Sequence, residues 1–190
     1  MSTEPELPSW NDLEERIVAE MRTAIDALAA ASEEPLAVVV LWADPYKGWY
    51  EVLADTASRN REGARARNAK MATLIPELAS RSEAWKTAMT TAARTQALDF
   101  DPRYGDYALG EDPLHTFDVG YDAFVRSPRY TELNQGGEDG WLEGHVRFVI
   151  ARALLRLVGD GAFAALATAS PLRVGYAYPD SGDAIIVALV

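Results

Sequence analysis

Residues 36–54 read LAVVVLWADPYKGWYEVLA, and this stretch decides the fold. Leu36–Ala43 is a continuous apolar run rich in valine. Branched side chains suit a pleated backbone, and unbroken apolarity suits a central strand buried on both faces. Asp44-Pro45-Tyr46-Lys47-Gly48 is turn chemistry, with proline and glycine bracketing a reversal. Trp49–Ala54 then runs back, so the stretch predicts an antiparallel hairpin. Trp42, Tyr46, Trp49 and Tyr50 are expected near one another at its turn end. They serve there either as cross-strand packing or, through Trp42 and Trp49 above all, as a platform for a ligand or partner.

On the N-terminal side, Leu13, Ile17, Met21, Ile25 and Leu28 recur at spacings of four, four, four and three, one stripe of an amphipathic helix. Ser9 or Asn11 caps it, and Glu14 and Glu15 sit in its first turn, where the helix dipole favours anions. Glu14, Glu20, Arg22 and Asp26 are expected to turn mostly away from the stripe, and Pro35 stops the helix. The far end of the chain has the same plan. Trp141–Val158 places apolar residues at 142, 146, 149, 150, 153, 154, 157 and 158, with Gly159 as C-cap. A short helix over Ala162–Thr168 is expected next. Leu172–Tyr178 and Ala184–Val190 then flank the turn PDSGD at 179–183, a second hairpin whose last strand is expected to be tied into a sheet. Trp10 and Trp141 open the two outer helices. These elements predict one α+β domain over residues 1–190, a mainly antiparallel sheet from the N- and C-terminal hairpins packed on one face against amphipathic helices.

Between the two ends the composition changes. Residues 59–70 (RNREGARARNAK) hold five basic side chains and one acidic, a net +4 that leaves −15 on the other 178 of the 190 residues. The segment leads into helix-prone sequence around Met71–Leu74, and a helix with Pro76 in its first turn is expected to continue toward Gln96. The acidic middle, 99–140, is irregular, interrupted by Asp101-Pro, Asp112-Pro and Ser127-Pro. It is expected to hold a short strand near Phe117–Val125, a short helix near Pro128–Leu133 and a flexible connection at 135–140 (QGGEDG).

The chain has 29 acidic against 18 basic residues, no cysteine and two histidines, for a net charge of −11. Without cysteine there is no disulfide, thiolate catalysis, iron–sulfur cluster or cysteine-based zinc site. The negative charge opposes general binding to phosphate backbones or anionic membranes. No apolar run approaches the roughly 20 residues that span a bilayer, and the acidic start, Met1–Pro8, is the opposite of a signal peptide. A cytoplasmic location is expected, and neither a cofactor nor a metal is.

The residues of a type that carries chemistry are few. Asp112, His115 and Asp118 sit close together in sequence and form a candidate oxygen- and nitrogen-rich loop site; the plainer reading is a polar loop in an acidic protein. His145 is expected to pair with Glu143 or Asp139, or to be an ordinary helix histidine. Arg59, Arg61, Arg65 and Arg67 are candidates for an acidic partner, a ligand or a nucleic acid. Nucleic acid is disfavoured by the surrounding charge and by the lack of interleaved aromatics, and it requires one continuous positive stripe. The simplest use of these arginines is a solvated face pairing with the protein's own carboxylates. With 15 arginines to 3 lysines, the coding bias of a GC-rich bacterium weakens any one arginine as a signal. No phosphate-cradling loop and no nucleophile elbow occurs.

Two stretches resemble the bacterial domain-of-unknown-function family 4303. They are the opening helix with LAVVVLWADPYKGWYEVLA, and the closing RFVIARALLRLVGDGAF followed by PLRVGYAYPDSGDAIIVALV. The resemblance covers about half the chain, at its ends; residues 59–70 and much of the middle depart from it. It implies the same fold and a small soluble bacterial protein of the sort found beside toxin-immunity genes, and it carries over no catalytic residue. The function expected is therefore a binding or protein-interaction module, of immunity type, whose acidic surface meets a basic partner or a small ligand. The alternative is a small hydrolase-like or ligand-binding enzyme using Asp112, His115 and Asp118. The sequence leaves the oligomeric state open.

Overall fold

The valine-rich run forms β1 (Leu36–Asp44), the third of five strands among the described residues. A computed structural model of the chain describes residues 9–83, 99–103, 115–120, 126–133, 140–179 and 181–190. Packing divides the chain into two units, Met1–Ala57 with Arg103–Val190, and Ser58–Pro102.

In the first unit β1 returns as β2 (Trp49–Thr56), antiparallel, with Leu41 opposite Val52 and Ala43 opposite Tyr50. Asp44 makes the turn: its Oδ1 accepts the N–H groups of Tyr46 and Lys47, each at 3.2 Å, and Gly48 takes a left-handed φ of 68°. β3 (His115–Asp118) adds to β2, and β4 (Thr168–Ala177) with β5 (Ile185–Leu189) forms the second hairpin, giving the order β3-β2-β1-β4-β5. Three neighbouring pairs are antiparallel. The fourth, β1 with β4, is parallel and joins the two hairpins, Val39 lying opposite Val174 and Leu41 opposite Tyr176. The sheet is thus mainly antiparallel and the fold α+β, as the two hairpin patterns predict.

Helix α1 (Trp10–Ala31) starts at Ser9, whose side chain accepts the Asp12 N–H at 3.3 Å; Asn11 lies inside the helix. Its predicted stripe, Leu13 to Leu28, is buried. Glu14 departs from expectation: it is buried with the stripe, because Arg152 reaches it at 2.5 Å. Arg152 lies on the 20-residue helix of Gly140–Gly159, the third long helix among the described residues. A short helix, Pro128–Leu133, falls where the sequence predicts one and is labelled α3, so the long one is α4. α4 lies over β4 and β5, while α1 reaches β3. Together they cover the face carrying Val39, Leu41, Ala43, Tyr50, Val52 and Val174. Leu36 shares that face despite its spacing, because the register shifts between Leu36 and Val38. Val38, Val40, Leu53 and Ala177 form a second buried cluster on the other face. β1 is therefore buried on both sides, which is the reason for its unbroken apolar sequence.

Several boundaries differ from the sequence reading. Gly159 still belongs to α4, and the left-handed residue is Gly161, with φ 69°. It leads into a 3-10 turn at Ala162–Ala165, shorter than the expected helix. β4 begins at Thr168, ahead of Pro171, because its first residues pair with Leu36. The strand expected at Phe117–Val125 is His115–Asp118; residues 121–125 lie outside the described residues, as do 84–98 and 134–139.

In the second unit, helix α2 (Ala57–Ala79) takes in the whole basic segment. Pro76 stands near its end, not in its first turn. A proline there removes one late hydrogen bond, and the helix closes over the next residues, with the Ser80 N–H reaching the Pro76 carbonyl at 3.2 Å. The buried positions of α2 include Asn60 and Ala64, and Arg67 and Asn68 are half-buried along the same stripe.

Candidate interaction site

Trp10 and Trp141 occupy the first turns of α1 and α4, so the packing of these two helices brings the indoles together. Their rings meet edge to face at 5.8 Å. One turn along α4, His145 stacks on Trp10 at 5.1 Å and lies 4.7 Å from Trp141. Its Nδ1 is 2.8 Å from the Trp141 carbonyl, so Nδ1 carries the proton and donates it there. The expected partners differ: Glu143 pairs with Arg147, and Asp139 lies outside the described residues. A helix histidine two residues from Glu143 points about 200° away from it, whereas Arg147, four residues on, shares its side.

Beside this aromatic cluster, α4 presents two glycines, Gly140 and Gly144. A Cβ on either meets nothing within 4 Å, so neither is required by packing. Next on the same side stands Phe148, 62% exposed, with the Arg152 guanidinium 5.6 Å over its ring; Leu155, one heptad further, is 51% exposed. Trp10, Trp141, Gly144, His145, Phe148 and Arg152 line a groove of about 560 Å³. Ion pairs tie α1 to α4 and to the residue that follows it: Arg152, on the groove wall, pairs with Glu14, Arg156 with Glu15 at 2.5 Å, and Arg22 with Asp160 at 2.7 Å. The hydrogen bond from Arg156 holds the Glu15 carboxyl below its ordinary pKa. Aromatic residues and arginine around a shallow apolar groove are the composition of protein-binding hot spots.

A second groove, of about 630 Å³, lies where both hairpin turns meet α4, lined by Asp44, Tyr46, Lys47, Arg147, Tyr178 and Ser181 among others. Its charges are matched within the groove: Lys47 Nζ is 2.9 Å from Asp44, and Arg147 pairs with Glu143 while lying 4.6 Å over the Tyr178 ring. Burial pushes the Tyr178 phenol well above its ordinary pKa; Tyr176 adds to the shift and Arg147 opposes it. Lined by paired charges and a protonated phenol, this groove offers, among the described residues, no free charge with which to select a ligand ion.

The residues singled out in the sequence are dispersed. Trp42 and Trp49 lie on one side of the sheet, Trp42 opposite Glu51, and the Trp49 indole donating to Glu51 at 2.8 Å. Tyr50 faces the other way, buried and stacked on Phe117 at 4.9 Å, and Tyr46 packs on that same core. The four aromatics therefore do not form one platform, because alternate residues of a strand face opposite sides. His115 and Asp118, three apart on β3, are separated for the same reason. His115 Nε2 lies 2.6 Å from Glu20 of α1, and Asp118 accepts the Gly120 N–H at 2.6 Å. Asp112 lies outside the described residues. Among the described residues no three of the metal-ligating types cluster.

The arginines fall on two sides of α2. At 100° per residue, Arg61 and Arg65 share one side and Arg59 and Lys70 another, so they make no single stripe. Arg67 is turned inward and lies 3.8 Å from the buried Asp101. Arg67 thus has the self-pairing role that the sequence suggested. The groove residues that sequence reasoning missed are Phe148 and Arg152; Leu155 extends the same exposed side of α4 beyond the groove. The signal was present: Phe148 and Leu155 are apolar, seven apart, and outside the buried stripe of α4.

The chain matches no protein-family model, no curated protein and no solved structure. Among the described residues no helix is long and apolar enough to cross a membrane.

Proposed function

We propose that this chain is a bacterial cytoplasmic protein-interaction module that docks an apolar, basic-flanked segment of a partner into the α1–α4 groove. The observation that carries the reading is the pair Phe148 and Leu155, left exposed on the outer side of α4 beside the Trp10–Trp141–His145 stack. Exposing two large apolar side chains on one helix face is costly in water unless something covers them in use. Asp12, exposed on α1 next to the groove, favours positive charge on the partner and speeds its approach. An immunity-type role, holding a toxic enzyme inactive, fits such a module, as does the resemblance to family 4303.

The test is quantitative affinity capture from a lysate of the encoding organism, comparing the wild type with Phe148→Asp and Leu155→Asp at two salt concentrations. A charge in the middle of a hot spot is expected to reduce recovery of the specific partner at least about tenfold. Recovery should also fall with salt in the wild type. Equal recovery by wild type and folded variants overturns the reading.

A further inference from the structure

α4 carries a second apolar stripe besides the buried one. Trp141, Gly144, Phe148, Ala151, Leu155 and Val158 recur at spacings of three, four, three, four and three. At 100° per residue they fall within about 100° of arc, and no charged residue of the helix stands among them. The core stripe, Leu142 to Leu157, lies on the opposite side. Gly144, Phe148 and Leu155 are exposed, and Trp141, Ala151 and Val158 are half-buried. One apolar stripe is enough to seat a helix on a sheet. A second one, in strict alternation of three and four, is the seam along which one helix meets another.

We propose that this seam packs against the same seam of a second copy, antiparallel about a two-fold axis at Ala151, and that the dimer closes the docking face until a partner displaces it. The last clause rests on the docking role of the groove; the pairing itself does not. The seam selects a second copy because its side-chain sizes read nearly alike in both directions from Ala151. A small residue stands at the axis, Phe148 and Leu155 stand large on either side, and Gly144 and Val158 are smaller again. Antiparallel pairing sets Phe148 of each copy against Leu155 of the other, so one patch supplies both sides. Ala151 against Ala151 lets the helix axes approach to about 8 Å. Gly144, whose Cβ position is empty within one chain, makes room there for Val158 of the other. The cations flanking the seam are matched, Arg147 by Glu143 and Arg152 by Glu14, so two chains of −11 meet on a strip without net charge. Area sets the strength. From 141 to 158 the seam is about 26 Å long and one helix wide, which places the interface at or below about 1,200 Å², the size of transient complexes. The dimer therefore dissociates readily, as displacement by a partner requires.

Sedimentation velocity on the full chain is expected to show a reversible monomer–dimer equilibrium within about 1–100 µM. Ala151 lies on the seam but not among the residues lining the groove. Ala151→Arg sets like charges at the axis and is expected to weaken the dimer at least about tenfold with circular dichroism unchanged. Orientation is read by oxidation, since the chain has no cysteine of its own. Ala151→Cys stands at the axis, within disulfide reach of its copy. Gly144→Cys stands about 10 Å from the axis and about 20 Å from its copy, beyond the roughly 7 Å that a disulfide spans. A crosslinked dimer is expected from Ala151→Cys and not from Gly144→Cys. Should Ala151→Arg fail to fold, these two smaller substitutions carry the test. Three outcomes overturn the proposal: a wild-type monomer throughout, a dimer that folded Ala151→Arg leaves intact, or equal crosslinking by both cysteines. The docking role fails separately, if folded Phe148→Asp captures a partner as the wild type does, whether or not the chain dimerises.

Discussion

The Asn60 carboxamide holds the backbone of Asp101 at both its polar groups. Its Nδ2 donates to the Asp101 carbonyl at 2.9 Å, and its Oδ1 accepts the Asp101 N–H at 3.0 Å, across 41 residues of chain. Both residues are buried, so water cannot replace either bond. Asn60→Ala is expected to cost about 1–3 kcal/mol, read as a lower urea midpoint. Hydrogen exchange should locate the loss in residues 58–102.

Gly63 faces the same aspartate. A Cβ there stands 2.5 Å from Asp101 Oδ2, and Asn60 prevents the Asp101 backbone from yielding. Gly63→Ala should therefore destabilise the second unit by about 1–3 kcal/mol, although alanine is the better helix former by about 1 kcal/mol. A stabilised variant in thermal melting would show that the Asp101 side chain swings clear.

Glycine has a second such role at position 175, where a Cβ lies 2.5 Å from the Ile185 carbonyl oxygen. That contact is backbone, at the register shift between Val174 and Gly175, so relief requires β5 to lift from β4. Gly175→Ala is expected to cost about 1–3 kcal/mol. An unchanged thermal midpoint would count against it.

How far the sequence reading reached follows from what each signal depends on. β1, both hairpins and the α1 stripe were legible because periodicity reports burial directly. The parallel joint between β1 and β4 was not, since nothing local encodes which hairpins become neighbours. Glu14 was misplaced because a carboxylate reads as outward until its arginine, here Arg152 on another helix, is known. Trp42 and Trp49 share one side of the sheet while Tyr46 and Tyr50 pack on the other, and His115 parts from Asp118 for the same reason: a strand sends alternate residues to opposite faces. Trp10 and Trp141 were noticed as helix openers, but that they meet depends on how α1 and α4 pack.

The Glu14–Arg152 pair gives a fourth stability test. Glu14 has a side chain only 10% exposed and Arg152 one 46% exposed, so removing the arginine leaves a mostly buried carboxylate. Arg156, 3.9 Å away, softens the loss. Arg152→Ala is expected to cost about 1–2 kcal/mol, and the double replacement by methionine to recover most of it. A double-mutant cycle on thermal midpoints reads the coupling.

Tyr178 predicts the alkaline limb. Its phenol ionises at higher pH in the fold than in the unfolded chain, whose tyrosines titrate near about 10. The stabilisation is therefore fully present below about pH 10 and is lost as pH rises above it, because the unfolded state alone releases the proton. Tyr178→Phe should flatten the fall in urea midpoint between about pH 9 and 11 relative to wild type. Parallel curves for the two proteins would rule this out.

The parallel seam between β1 and β4 also sets a timetable. On the ribosome β1 emerges long before β4, with more than a hundred residues still to be made, about 10 s of synthesis at ordinary rates. Until then the N-terminal hairpin has a bare valine-rich margin and α1 has only half a core to rest on. Closure of that seam completes the first unit in a single late step that brings distant parts of the chain together, so folding should be slow for a chain of this size. The nascent first hairpin is thus the stage most in need of a chaperone.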